Sequence, residues 1–337
     1  APHPGQAGFE ALGSVLSGAV NPSGKTTDIW AADFTADPTF GNFGGKQYTD
    51  VSNYYTTNYT GTVSNGTAYF VEYKEGIYYG YRFYETAAAE AEAGNYDFDY
   101  DSAVVFPFGY GLSYTTFDWA VSNVTPEGSV DQSDTISVTV DVTNTGDVAG
   151  KDVVELYYTA PYYSDGSAIQ KPGAVLGGFA KTPLIEPGQT ESVTIELAVE
   201  DMASYDSRCY YSENGAYVLE GGEYTISVRR DSHTVVDDYA YSIDGSIVFN
   251  EESASTGVEE GARYVGKRSS DEAIATNHFD DVAGDVAYMT RDTWEIVPGS
   301  DEEATPEMLE IFSTALELGD YENAEDEMPV MGASNEV

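Results

Sequence analysis

Carboxylates are the reactive groups this chain holds in greatest excess. Its 337 residues carry 58 Asp and Glu against 14 Lys and Arg, a formal net charge of −44. General acid–base work needs one protonated and one ionised carboxyl placed across a reacting group, and with so many acids no spacing in the sequence singles out such a pair. Asp97, Asp99 and Asp101 alternate like the start of a calcium loop, but Ser102 and Phe108 stand where that loop needs Gly and Glu, which leaves a solvated acidic loop. Gly18 to Thr26 ends in Gly-Lys-Thr like a phosphate loop. It has five residues between Gly18 and Gly24 where four are needed, and Pro22 removes a backbone donor. His3, His233 and His278 lie far apart without metal-ligand spacing and read as surface or structural histidines. Cys209 is the single cysteine, so no intrachain disulfide forms, and it is expected to be a buried or semi-buried thiol. Asn58, Asn65 and Asn123 begin Asn-x-Thr sequons that matter only in a glycosylating host. No catalytic, cofactor-binding or metal-ligating residue is assigned on this basis, and no cofactor is expected.

Tyrosine is the other abundant functional side chain, at 28 residues. Its flat ring and hydroxyl suit it to stacking on sugars, and equally to filling strand faces. Tyr157, Tyr158, Tyr162 and Tyr163 are read first as strand fillers and second as a sugar-binding surface.

The acidic balance argues against nucleic acid, whose phosphates such a surface repels, and fits solubility or salt adaptation. No apolar run approaches the ~18 residues of a membrane span. Phe9, Leu12, Val15 and Leu16 predict a helix over 9–17, ended by Gly18. Residues 28–31 read as a short strand or extended link, 37–70 as loop, 77–84 as a strand and 85–93 as an alanine–glutamate helix. The clearest unit spans 119–245. There Ile136, Val138, Val140 and Val142 alternate with polar residues, as do Val154, Leu156 and Tyr158, then Val193, Ile195 and Leu197, then Tyr224, Ile226 and Val228. Alternating strands separated by turns predict a β-sandwich. Residues 250–275 read as an acidic linker, 286–289 as strand-like. A helix is expected from Thr305-Pro306, with Thr as N-cap and Pro at its first position, its stripe formed by Leu309, Phe312 and Leu316 and its end by Gly319.

Between the mixed first part and the alternating strands lies Phe106-Pro-Phe-Gly-Tyr-Gly-Leu-Ser-Tyr-Thr-Thr-Phe117, uncharged, with five aromatics, two glycines and a proline. It reads as a buried, glycine-hinged joint between two bodies. It also resembles a segment of glycoside hydrolase family 3, the β-glucosidases and relatives. Further segments resemble that family in the same order: Leu16-Ser-Gly-Ala-Val-Asn-Pro-Ser-Gly-Lys25, Glu75-Gly-Ile-Tyr-Tyr-Gly-Tyr-Arg-Phe-Tyr84, Val142-Thr-Asn-Thr-Gly-Asp-Val-Ala-Gly-Lys151, Lys171-Pro, Leu176-Gly-Gly-Phe-Ala-Lys181 and Gly222-Glu-Tyr-Thr225. The resemblance covers about residues 1–245. Tyr288-Met-Thr-Arg-Asp-Thr-Trp294 resembles the lead-in to the TIM-barrel domain of members with swapped domain order.

The resemblance implies an α+β multidomain chain. Residues 1–117 would be the C-terminal part of an α/β sandwich domain, 118–245 a fibronectin type III-like β-sandwich, and 246–337 an acidic, irregular to helical lead-in to a barrel. The family's nucleophile is an Asp in a Ser-Asp-Trp context on the barrel, and its acid/base a Glu in the earlier half of the α/β domain. Neither pattern occurs here, so the resemblance carries no catalytic residue onto any position. It implies an internal fragment of a retaining β-glucosidase-type hydrolase, inactive alone, whose parent takes a carbohydrate substrate. The alternative is a non-catalytic sandwich binding polysaccharide or a cell-surface partner through Tyr162 and Tyr163. The oligomeric state is left open.

Overall fold

A computed structural model describes residues 8–51, 54–57, 63–66, 68–163, 169–212, 216–249, 287–292, 294, 299–306 and 308–310. His3, His278, Asn58, the acidic run 250–275, Phe312, Leu316 and Gly319 lie outside the described residues. The described residues divide into two compact units. One draws on Ala1–Asp37, Ile77–Ala275 and Thr290–Glu295, the other on Pro38–Gly76, Thr276–Met289 and Ile296–Val337.

In chain order the first elements are α1 (Gly8–Leu16), β1 (Trp30–Ala31), β2 (Lys46–Gln47), β3 (Tyr54–Thr57), β4 (Val63–Gly66) and β5 (Tyr69–Phe70). Helix α1 forms where its apolar stripe predicts. The expected loop over 37–70 instead contains two antiparallel pairs, β2 with β5 and β3 with β4. Next come α2 (Tyr81–Glu92), α3 (Tyr100–Ala103) and β6 (Val104–Phe106), which pairs with β1. The strand expected over 77–84 is not formed. Gly80 takes φ 55°, reverses the chain, and releases Tyr81-Arg-Phe-Tyr84 into the first turn of α2. Aromatic β-propensity yields there to the alanine-rich sequence that follows.

The sandwich strands are β7 (Phe117–Thr125), β8 (Gly128–Ser129), β9 (Thr135–Asn144), β10 (Val153–Thr159), β11 (Val175–Lys181), β12 (Thr190–Ala198), β13 (Ser204–Tyr205), β14 (Tyr217–Leu219), β15 (Gly222–Arg229), β16 (Val235–Ile243) and β17 (Ile247–Phe249). One sheet runs β11-β10-β15-β16-β8, the facing one β12-β9-β7, with β13-β14-β17 as a small third sheet. Their inward side chains, among them Ile136, Val138, Leu156, Ile195, Leu197, Ile226 and Val228, form one core. Each such fully buried aliphatic contributes about 1.5–3 kcal/mol. Strand β9 shows the expected alternation. Strand β10 does not, because all of Val153 to Tyr158 is buried. Val154, Leu156 and Tyr158 face the core, and Glu155 and Tyr157 point the other way, under a second layer.

In the second unit, Thr305 Oγ1 accepts from the Met308 backbone N–H at 3.2 Å, the N-cap geometry expected for a helix opening at Pro306. The strand-like run expected at 286–289 is absent at 287–289, which are irregular. The layout is α+β, mostly sheet with few helices. Among the described residues no helix is long and apolar enough to cross a membrane.

Candidate functional site: a polar seam under the five-stranded sheet

The layer over Glu155 and Tyr157 is helix α2. It comes close because residue 173 has no side chain: a Cβ on Gly173 would lie 3.0 Å from the Glu85 carbonyl oxygen and 3.1 Å from Thr86 Cα. The Gly173 N–H donates to Thr86 Oγ1 at 2.7 Å, the Leu176 N–H donates to the Tyr81 hydroxyl at 3.0 Å, and Tyr81 meets Tyr157 edge-on.

Glu85, on this face of α2, is buried and gathers partners from three elements. Tyr100 of α3 donates to Oε1 at 2.8 Å. From the turn between β15 and β16, Ser232 Oγ donates to the same oxygen at 3.0 Å, and His233 Nδ1 lies 3.0 Å from Oε2. Arg229 of β15 approaches Oε2 at 4.0 Å. The His233 ring stacks on Tyr100 with centroids 3.6 Å apart and planes 6° from parallel. The hydrogen bond to Glu85 holds the imidazole pKa above its ordinary value, against the opposing effect of burial. A buried carboxylate bonded on both oxygens is tolerated because its lone pairs are satisfied.

Glu155 occupies the other end of the seam, beneath residues 106–117. Gly109 takes φ 84°, and a Cβ there would collide with the Glu155 carboxylate. Tyr157 donates to Oε2 at 2.7 Å. Burial pushes the carboxyl up to about 7, against the lowering effects of the Tyr157 hydrogen bond and the Lys25 charge. The connection is stitched on both sides. Thr26 exchanges hydrogen bonds with Pro107, Gly109 and Tyr110, and the Ser232 N–H donates to the Phe108 carbonyl. Lys25 pairs with Asp152 at 3.3 Å, and Asn21 bonds Ser113, Tyr114 and Ala149. The stretch that mimics a phosphate loop is thus a clasp. The joint expected to be buried is only partly so, since Leu112 and Tyr114 are 69% and 50% exposed.

A third cluster forms around Phe83 and Glu90 of α2. Arg291 forks onto Glu90 Oε1 through Nε and Nη2, both at 2.5 Å, and its guanidinium sits 4.2 Å from the Tyr162 ring centroid. Trp294 stacks on Phe83 with planes 7° apart. Lys171 forms a buried ion pair with Glu220 and donates to the Pro161 carbonyl, and Tyr211 donates to the other Glu220 oxygen.

Tyr157 and Tyr158 are buried and fill strand faces as read from the sequence, Tyr158 toward the sandwich core and Tyr157 toward α2. The Tyr162 hydroxyl accepts from Gln170, and the exposed Tyr163 donates to the Gly221 carbonyl. Asp97, Asp99 and Asp101 are exposed to solvent as read, but they do not form one loop, since Asp99 caps α3 and Asp101 lies in its first turn; Asn123 is exposed on β7. Cys209, expected to be buried or semi-buried, is instead exposed. It sits in a turn with φ 60°, where the backbone reverses at the surface. Glu85, Glu90 and Glu155 were not singled out from sequence. Glu155 alone left a signal, as a charge inside the apolar run Val153-Val-Glu-Leu-Tyr-Tyr158.

Ser232, His233 and Glu85 have the residue types of a hydrolytic triad but not its geometry. Both Ser232 and His233 bond the carboxylate rather than each other, and Ser232 is fully buried. No group of three or more metal-ligating side chains occurs among the described residues. What this arrangement does is hold: the contacts of Glu85 tie α2 and α3 to β15 and the turn after it, the Ser232–Phe108 bond ties in the 106–117 connection, and the Arg291–Glu90 and Lys171–Glu220 ion pairs lie beside them.

A family model for a fibronectin type III-like domain matches residues 152–232. Beta-glucosidase A of Butyrivibrio fibrisolvens is 37% identical over 264 residues, covering 74% of this chain and 27% of that protein. A solved β-glucosidase from Paenibacillus barengoltzii superposes with a TM-score of 0.56 at 36% identity, over 72% of this chain and 22% of that one. A GH3 β-glucosidase from Bifidobacterium adolescentis does so with a TM-score of 0.51 at 30% identity, over 72% and 29%. The chain therefore spans about a quarter of the length of the relatives it matches. Over that span it is similar to β-glucosidases, among them one of glycoside hydrolase family 3, and the span contains the fibronectin type III-like domain.

Proposed function

We propose that this chain is the non-catalytic body of a retaining β-glucosidase-type hydrolase, acting on β-linked glucosides or oligosaccharides through two carboxylates that lie outside these residues. In this reading residues 1–117 are the end of an α/β sandwich domain. Residues 118–245 are the fibronectin type III-like domain that buttresses it, and 246–337 lead toward a barrel in the swapped domain order. The observation that carries the reading is the seam: Glu85 joins α2 and α3 to the turn after β15, Glu155 is held by Tyr157 and covered by Gly109, and Glu90 is paired with Arg291, so all three acids are engaged in packing. A second reading, polysaccharide binding through Tyr162 and Tyr163, has less support because Tyr162 is covered by Arg291 and both hydroxyls are engaged.

The purified 337-residue chain is expected to show no turnover of an aryl β-glucoside, and the same residues within their full coding sequence are expected to be active. Turnover by the chain alone overturns the proposal. Retardation in cellulose, xylan or β-glucan gels that is lost in Tyr162→Ala and Tyr163→Ala would point to the binding reading instead.

A further inference from the structure

We propose that the seam is a proton-dependent latch. Protons held on His233 and Glu155 tighten α2, α3 and the 106–117 connection against the five-stranded sheet, and loss of those protons above neutral pH loosens them. The proposal stands independently of any glycosidase activity.

The geometry places the two groups at the two ends of one contact. His233 faces Glu85 of α2, Tyr100 of α3, and Arg229 of β15, which approaches the same Glu85 oxygen at 4.0 Å. Asp231 of its own turn is taken up by the backbone N–H groups of His233 and Thr234 and by the Thr234 hydroxyl. The His233 side chain is 39% exposed, so its proton exchanges freely with solvent. As an imidazolium it makes an ion pair with Glu85, and as a neutral ring it keeps at most a hydrogen bond. Glu155 faces Tyr157 on its own strand and the backbone of Gly109, with Lys25, Asp152 and Asp231 acting on it through their charges. Ionising it places a charge in a closed site between two like charges and one opposite one.

Both groups hold protons more firmly in the folded chain than in the unfolded one. The contribution of His233 is fully present below about 6.5 and is lost as pH rises through its raised folded value. For Glu155 the folded chain keeps its proton up to about 7, whereas the unfolded chain releases it near 4.5, so stability falls across that window. The two effects add in one direction, from tight at pH 5.5 to loose at pH 8.

Amide hydrogen exchange over residues 81–92 and 229–236, measured on the whole chain, tests this. At pH 5.5, His233→Gln should exchange about tenfold faster than wild type, and at pH 8 within twofold of it. Glu155→Gln keeps an acceptor for Tyr157 and should exchange about tenfold slower than wild type at pH 8, with little difference at pH 5.5. Variant-to-wild-type ratios that are the same at both pH values overturn the latch. If either variant fails to fold, the double variant His3→Gln/His278→Gln leaves His233 as the single histidine for an NMR titration. A midpoint at or below about 6.5 overturns the proposal, and a higher one supports it.

Discussion

At position 109 the backbone leaves no room for any side chain. Gly109 sits at φ 84°, and a Cβ there would meet the Glu155 carboxylate, which is held in place by Tyr157. An L-residue in the left-handed region costs about 1–2 kcal/mol, and forcing atoms into a packed site roughly 1–3 kcal/mol more. Gly109→Ala should therefore lower unfolding stability by about 2–5 kcal/mol in urea melts, and Glu155→Ala in the same chain should restore part of it by clearing the space. Asn144 is a comparable single-residue hub. Its fully buried amide accepts from Thr115 Oγ1 at 2.6 Å and from Gly146 N, and donates to the carbonyls of Val148 and Ile185. Asn144→Ala strands those partners, at a cost of roughly 2–4 kcal/mol. Asn144→Asp should be at least as damaging, because it turns a carboxylate toward two carbonyl oxygens. Equal stability of the Asp variant and wild type by thermal melts would refute this account of the site.

At the scale of elements, the contact between α2 and the sheet is set by one hydroxyl and one missing methyl. Thr86 Oγ1 accepts from Gly173 N and donates to the Arg82 carbonyl at 2.6 Å. Thr86→Val keeps the shape and removes both bonds, and should cost about 1–3 kcal/mol, read as faster exchange of the Gly173 amide. Gly173→Ala should be worse, because the atoms its Cβ meets are backbone atoms of α2 that cannot swing aside. This interface was the part least legible in the sequence. The sandwich was legible because Ile136 to Val142 and Val193 to Leu197 obey a period of two, and one buried face is enough to impose that pattern. Strand β10 broke the pattern because it is covered on both sides, and the cover comes from a helix some 70 residues earlier. Helix α2 was half misread because Tyr81 to Tyr84 have strand propensity, while the φ 55° of Gly80 that decides their fate depends on tertiary packing. The resemblance located the connection at 106–117, but not the roles of Glu85, Glu90 and Glu155, since a buried acid looks like any other among 58.

At the scale of the whole molecule, the net charge of −44 is the dominant unsatisfied term. At least five of the 14 basic side chains (Lys25, Lys74, Lys171, Arg229 and Arg291) are already committed to ion pairs. Few cations remain to neutralise the surface acids, so the folded chain gathers negative charge that the unfolded chain spreads out. Screening should relieve this. The Debye length falls from about 30 Å at 0.01 M salt to about 3 Å at 1 M. The exposed carboxylates lose their mutual repulsion over that range, while the buried pairs Lys171–Glu220 and Arg291–Glu90 are little affected. The melting temperature should therefore rise with sodium chloride from 0.01 to 1 M, by roughly 4–8 °C if the relief is about 2 kcal/mol. Guanidinium chloride and urea separate this effect from ordinary salting. Guanidinium chloride is itself an electrolyte, so its first few tenths of a molar should raise the melting temperature before denaturation wins, whereas urea should lower it from the first addition. A melting temperature that falls with added sodium chloride would mean that ion pairs, and not the surplus of carboxylates, control the stability of the chain.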